Sequence, residues 1–394
     1  MRRVYLDHAA TTGVDRDVLE KMTPYFSDTF GNPNSLHSFG REAEKAVTSS
    51  RDAIAKLLGC KPNELYFTSG GTEADNWAIK GIYTAYKNKG NHIITTKIEH
   101  KAVLASCQRL QKDGAEITYL DVDKYGTVDL EQLKNSITDK TILVSVITAN
   151  NEVGTIQPIA EIGRICKERG VLFHTDAVQA IGAVDIDVKR DNIDLLSLSA
   201  HKVYGPKGIG ALYIRNGVKC DRYISGGSQE RGMRAGTTNV PLIVGMAAAF
   251  EKAVLNSEEN NKKLIRLRDE LIQRIEAGIP NSYLNGHRIN RLPNNVNFCF
   301  EFVEGESLLL MLDMQGIAVS SGSACTSGSL EPSHVLSAMG VPPEIAQSAT
   351  RFTFGRENTM EDIDYVVECL KKNLMTLRAM SPLFKQEKGD AKHV

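Results

Sequence analysis

The chain has 394 residues, long enough to bury a large core and to fold as more than one domain. Lysine plus arginine number 47 against 48 for aspartate plus glutamate, a formal net charge of −1, which argues against a strongly electrostatic nucleic-acid or membrane binder. The opening MRRVYLDHAATT lacks the apolar stretch of a secretory signal, no run approaches transmembrane length, and the seven cysteines form no CxxC pair. The expectation is a cytoplasmic protein with reduced, mostly inert thiols.

Residues 1–40 are rich in turn formers. In Gly31-Asn32-Pro33-Asn34 a helix is excluded, because Pro33 removes a donor and pushes Asn32 towards extended geometry. Apolar positions recur at helical spacing from Arg41 to Leu58, where Gly59 stops them. Strand-like runs follow at Leu65–Thr68, His92–Thr96, Ile117–Val122, Ile142–Ile147, Val171–Thr175, Leu195–Leu198 and Ala211–Ile214. Most are separated by helical or turn-rich segments such as 72–88, 100–113 and 158–169. That alternation predicts an α/β fold with a seven-stranded, mainly parallel sheet covered on both faces. After Pro241 one long helical pattern runs to about Ile275, crossed by the polar NSEENNKK of 256–263, which reads either as a solvated helix face or as the place where the chain leaves the large domain. Strands at Asn295–Phe300, Ile317–Ser320 and Arg351–Phe354, with helices near 306–315 and 359–379, predict a smaller α+β domain. The expected division is 15–257 for the large domain, and 1–14 with 258–394 for the small one.

The stretch Phe173–Lys202 concentrates the chemistry. Asp176 and Gln179 follow one strand, while Ser199, His201 and Lys202 follow the next; open α/β sheets place ligands at such ends. An acid and a lysine together suit pyridoxal phosphate, which a lysine holds as a Schiff base while an aspartate pairs with its pyridinium nitrogen. A buried ion pair with a surface lysine is the plain alternative. Lys202 is preferred to Lys207, which sits in a Gly-Pro-Lys-Gly turn projecting to solvent, whereas Lys202 follows an apolar strand and is more readily desolvated. Thr68-Ser69-Gly70-Gly71-Thr72-Glu73 follows a strand and opens a helix, reading either as a phosphate turn or as a tight turn capped by Ser or Thr. His100, for which a capping or core role is the plain alternative, and Asn150-Asn151-Glu152 stand at two further strand ends. Their convergence carries more weight than any one of them. Cys325 lies in SSGSACTSGS, a small-residue loop where a thiol can be accessible and reactive; the alternative is a linker with an incidental cysteine. The other six cysteines fall in ordinary helix, strand or turn contexts.

Taken together, TSGGTEADN, HTDAVQ, SAHKVYGPKGIGALY, GGSQERGMRAGTTN, SSGSACTSGSLEPSHV and RFTFGR resemble the cysteine desulfurases of the NifS/IscS group. These belong to the class V aminotransferase family, with the fold type I architecture of PLP-dependent transferases. GNPNSLHSFG and FHTDAVQA lean towards the NifS branch. The resemblance implies that Lys202 carries the cofactor, Asp176 pairs with its ring nitrogen, Gln179 bonds its phenolic oxygen and His100 stacks on the ring. Gly71, Thr72, Ser199 and His201 would hold the phosphate, completed by Thr237 of the other protomer in a homodimer, with Asn151 and Arg351 on the substrate carboxylate. It further implies that Cys325, in a loop of about 320–332, takes sulfur from L-cysteine as a persulfide and leaves L-alanine. The sulfur would pass to an iron–sulfur scaffold of the NifU/IscU type, or to tRNA thiolation or another acceptor. No metal is expected in the site itself, Cys325 meeting a cluster only on a partner. Gly71 stands where many relatives carry Ala, a difference expected to be without consequence for a phosphate turn. The rivals are a transaminase or kynureninase-like lyase on the same fold, and a non-enzymatic scaffold.

Overall fold

A computed structural model describes residues 2–321, 332–382 and 384. Cys325 and the surrounding 322–331 lie outside the described residues. The strands in chain order are β1 (Val4–Tyr5), β2 (Leu65–Thr68), β3 (His92–Thr96), β4 (Glu116–Leu120), β5 (Thr141–Ser145), β6 (Leu172–Asp176), β7 (Leu195–Ser199), β8 (Gly210–Ile214), β9 (Ser282–Leu284), β10 (Asn295–Phe300), β11 (Ile317–Ala318) and β12 (Thr350–Thr353).

Seven of them form the main sheet in the order β2-β8-β7-β6-β5-β3-β4. β8 runs antiparallel to both neighbours, and the other pairs are parallel. Every residue of β3, β5, β7 and β8 is buried, as expected where helices cover both faces. Helices Ser38–Leu57, Ile159–Arg169 and Val240–Leu255 pack on one face, and Gly71–Tyr86 and Lys101–Lys112 on the other. In Ser38–Leu57 the buried Ala43, Val47, Ser50 and Ile54 make a single stripe at three- and four-residue spacing.

The long helical pattern after Pro241 is two helices, Val240–Leu255 and Ser257–Gly278, bent by 70°. The bend falls at the start of the polar run and has a packing cause. Phe250 and Met246 belong to the core under the main sheet, whereas Leu267, Leu271 and Ile275 belong to a second core, so the chain must turn between them. That second core gathers around the antiparallel sheet β12-β10-β9 and the parallel pair β1-β11. Strands β1 and β9, and helices Arg16–Met22 and Leu130–Ser136, were not legible in the sequence; all four are short, two to seven residues. Among the described residues no single helix is long and apolar enough to cross a membrane.

Candidate active site

Because β2, β3, β5, β6 and β7 run in one sense, their carboxyl ends open on the same edge of the sheet. A cavity of about 350 Å³ lies there, lined by Gly71, Thr72, His100, Asn151, Asp176, Gln179, Ser199, His201, Lys202 and Arg351, together with Ala9, Ala10 and Asp75. Five strand ends and one strand of the second core thus supply ten of the twelve residues singled out in the sequence. Thr237 is exposed and lines a different pocket of its own chain, and Cys325 lies outside the described residues.

Each group is held by local structure. A short 3₁₀ turn, Ala200–Lys202, ends β7, and Lys202 Nζ donates to the carbonyls of Ala9 (2.5 Å) and Ala10 (2.8 Å). Gln179 Nε2 donates to the same Ala9 carbonyl at 2.9 Å. Lys207 is exposed, as expected. Burial raises the Asp176 carboxyl, while His100, the Val178 N–H (2.9 Å) and Lys202 pull it down. His100 caps its helix through Nδ1, which accepts from Ala102 N at 3.2 Å. It is therefore both a capping residue and a wall of the cavity. His201 is held near 4 by burial and by the neighbouring Lys202 and Lys207, so its ring is neutral at pH 7; Nδ1 lies 3.1 Å from the Thr11 hydroxyl. Arg351 donates from Nη1 to the Asn151 carbonyl (3.0 Å) and from Nη2 to Asp7 Oδ1 (2.9 Å), which ties the second core to the edge of the sheet.

The helix Gly71–Tyr86 starts without a side-chain cap. The turn before it is nonetheless held by Thr68, whose Oγ1 lies 3.4 Å from Gly70 N, so both readings of this stretch keep a footing, and the open N–H groups of the first helical turn are the feature that suits an anion. Gly71 is not neutral to substitution. A Cβ there would lie 2.6 Å from Val178 Cγ2, so an alanine requires Val178 to move.

Two acids escaped the sequence reading. Asp75 is buried on the inner face of its helix, near Asp176, and its Oδ1 has no hydrogen-bond partner among the described residues. Burial raises it well above the usual range, Asp176 and Glu99 add to this, and Ser197 opposes it. Glu99, next to His100, is pushed up to about 8 by burial against the N–H of Ile147 and the Thr96 hydroxyl, with Asp176 raising it further. Beneath them His174 bridges Ser145 (2.8 Å) and Ser197 (3.0 Å), and burial lowers it to about 3, leaving it neutral. An aspartate at the position after Ala74 on an otherwise apolar helix face was the available signal.

A cofactor with an aldehyde, a basic ring nitrogen and a phosphate fits this donor set. Lys202 would be the amine, Asp176 the buried carboxyl at the floor, His100 the ring at the wall and the uncapped helix start the phosphate end. Donor atoms of Asp75, His100 and Asp176 lie within 4.8 Å of one another, so a small cation would compete for the same place. The six described cysteines offer no rival nucleophile. Burial pushes Cys60, Cys107 and Cys220 up to about 12, Cys299 to about 11, and raises Cys166 and Cys369.

The description aminotransferase class-V matches residues 4–366. A cysteine desulfurase IscS from Clostridium botulinum (strain Hall) is 59% identical over 385 residues, 97% of each chain. One from Methanosarcina thermophila is 56% identical, over 98% of this chain and 95% of that protein. Among solved structures, a NifS-like protein superposes with a TM-score of 0.90 at 41% identity, covering 95% of this chain and 100% of that one. These names mix IscS and NifS, so they do not separate the two branches. The chain belongs to the class V aminotransferase family and, within it, to the NifS/IscS cysteine desulfurases.

Proposed function

We propose that this protein is a pyridoxal-phosphate-dependent cysteine desulfurase that converts L-cysteine to L-alanine and leaves the sulfur on Cys325 as a persulfide. The observation that carries the reading is the meeting, in one cavity, of Lys202, Asp176, His100 and Arg351 from separate strand ends and both cores. Bound pyridoxal phosphate supplies an electron sink that weakens the substrate Cβ–S bond.

The residues divide the work. Lys202 would hold the cofactor through Nζ, and the same amine would take up the substrate's Cα proton. Asp176 would pair with the ring nitrogen and Gln179 would face the phenolic oxygen. Gly71, Thr72, Ser199 and His201 would surround the phosphate, where a neutral His201 can donate without adding a cation. His100 would cover the ring and handle protons on the thiols. Arg351 and Asn151 seat the substrate carboxylate, the planar guanidinium matching it as a fork. The Cys325 thiol attacks the substrate sulfur: an S–S bond forms, the Cβ–S bond breaks with its electron pair left on carbon, and protonation gives the methyl group of alanine.

The reading extends to a homodimer in which Thr237 of one protomer completes the phosphate site of the other, supported by the exposure of Thr237 away from its own chain's cavity. Exposed Phe26, Phe30, Leu36 and Phe39 near the N-terminus are apolar surface that a second copy can cover. The two cores support a division into a large domain of 15–257 and a small one of 1–14 with 258–394. A cytoplasmic location and delivery to an iron–sulfur scaffold complete the proposal.

Incubation of the holoenzyme with L-cysteine should yield alanine in step with a persulfide on Cys325 seen by peptide mass spectrometry. Cys325→Ala should keep the bound cofactor and lose at least a hundredfold in sulfide release; full release by that variant would sink the nucleophile. Borohydride trapping should label Lys202, and a label elsewhere would overturn the cofactor assignment. Amino transfer to a keto acid as the main activity would favour a transaminase instead.

A further inference from the structure

The cysteine-bearing segment is bounded on both sides by residues tied directly to the site. On the entry side Ser320 and Arg351 exchange backbone hydrogen bonds, Ser320 N to Arg351 O at 3.2 Å and Arg351 N to Ser320 O at 2.6 Å. The exit side is held by side chains. Ser333 caps the helix His334–Ala338, its Oγ accepting from Val335 N (3.1 Å) and Leu336 N (3.3 Å). With its lone pairs so used, the single hydroxyl proton is directed to Glu152 Oε2, 2.5 Å away. Both side chains are buried, Ser333 at 5% and Glu152 at 4% exposure. The next residue, His334, donates from Nε2 to the carbonyl of Glu99 at 3.0 Å, immediately before His100.

The backbone of Glu152 is itself bonded on both sides. Its N–H donates to Asn150 Oδ1 (2.9 Å), and its carbonyl accepts from Asn295 Nδ2 (3.2 Å) and Asn297 Nδ2 (3.1 Å) of β10. It directly follows Asn151, whose carbonyl is bonded by Arg351. The same loop therefore carries the seat of the substrate carboxylate and the tie-point of the segment's exit end.

We propose that Ser333 and Glu152 are a positioning pair, which fixes the exit end of the cysteine-bearing segment to the substrate-binding loop and thereby sets the approach of Cys325 to the substrate sulfur. The proposal rests on the reading of Cys325 as the nucleophile. Five residues lead from Ser320 to Cys325 and eight from Cys325 to Ser333. Extended chain of those lengths spans about 17 and 27 Å, so free ends would let the thiol occupy a large volume. Where the two ends are held therefore bears on the thiol's effective concentration at the substrate, and the Ser333–Glu152 contact holds one of them to the substrate-binding loop. Neither residue lines the cavity. Their loss should slow sulfur transfer and spare substrate binding.

The experiment compares holoenzymes of the wild type, Ser333→Ala, Ser333→Thr, Glu152→Ala and the double variant Ser333→Ala/Glu152→Ala. Substrate binding is read from the cofactor absorbance change on adding L-cysteine, sulfur transfer from single-turnover persulfide on Cys325 by mass spectrometry. In Ser333→Ala and Glu152→Ala the absorbance midpoint should stay within about twofold while persulfide forms at least tenfold more slowly. Ser333→Thr keeps the hydroxyl and should recover most of the rate; the double variant should be no slower than the slower single variant, as for two halves of one contact. Wild-type persulfide formation with an unchanged rate in Ser333→Ala would overturn the positioning pair alone. Equal losses in binding and transfer would overturn it too, as would multiplying losses in the double variant. A wild type that forms no persulfide on Cys325 would overturn the nucleophile reading and the pair with it. Should Ser333→Ala fail to fold, Ser333→Thr against Glu152→Ala still decides, since only the second lacks the contact.

Discussion

Glu99 shares its corner of the fold with Asp75 and Asp176, and three carboxyls so far from water cannot all be charged. Asp176 alone has both a backbone N–H at 2.9 Å and attraction from the site's His100 and Lys202. It is the one best placed to carry the charge a pyridinium needs. Glu99 has the opposite fate, its carboxyl raised from 4.5 to about 8. An acid whose folded value lies above its unfolded value binds an extra proton in the folded state between the two. Stability therefore falls as pH rises from about 4.5 to about 8, by up to ~1.4 kcal/mol per pH unit for one proton. Glu99→Gln, which keeps the acceptor for Thr96 and Ile147, should flatten that slope in urea titrations of cofactor-free protein. An unchanged slope would show that Glu99 is charged in the fold. None of this was readable from sequence, where Glu99 was simply the residue before His100: burial is a property of the neighbours.

The helix Gly71–Tyr86 shows how one small side chain sets an element's position. Its start passes so close to the turn after β6 that a methyl on residue 71 would meet Val178. Gly71→Ala should cost about 1 kcal/mol, the lower end for overpacking, because a valine can rotate aside. Pairing it with Val178→Ala should restore the melting temperature, and a further loss in the pair would show that Val178 is not the obstacle. The strand ends themselves were legible, because β-branched runs broken by helical patterns leave little choice of fold. The bend at residue 256 was legible only as a polar run. Which core each half of the pattern joins depends on long-range packing.

At the scale of the whole molecule the site lies where the two cores meet, so its geometry depends on the seam. Asp15 stands on that seam. It caps the helix Arg16–Met22, binds Lys252 of the first core at 2.8 Å and pairs with Arg356, just beyond β12 of the second. Burial pushes its carboxyl up, but the hydrogen bonds from Lys252 and Arg356 outweigh this and hold it at about 2. Its folded value is below its unfolded value of 3.8, so its contribution is complete above about pH 4 and is lost as pH falls through about 2. Solvent screening at the seam leaves that contribution at about 1 kcal/mol. Asp15→Ala should lose this and the cap, about 2 kcal/mol together at pH 7. It should also show a shallower loss of stability than the wild type between pH 4 and pH 2 by thermal melts. Parallel pH curves would place the stabilisation in the cap alone.

By itself the sequence determined the alternation that makes a parallel sheet, the strand ends that carry chemistry, and Lys202, Asp176 and His100 as their chief groups. Those follow from local rules: apolar runs, breaker residues and the chemistry of side chains at turns. Tertiary structure alone decided that Arg351 reaches the sheet edge, that Asp75 and Glu99 share its buried floor, and that Ser333 is bonded to Glu152 across 181 residues. Such contacts depend on how strands from distant parts of the chain stack beside one another, and no local pattern of residues encodes that distance.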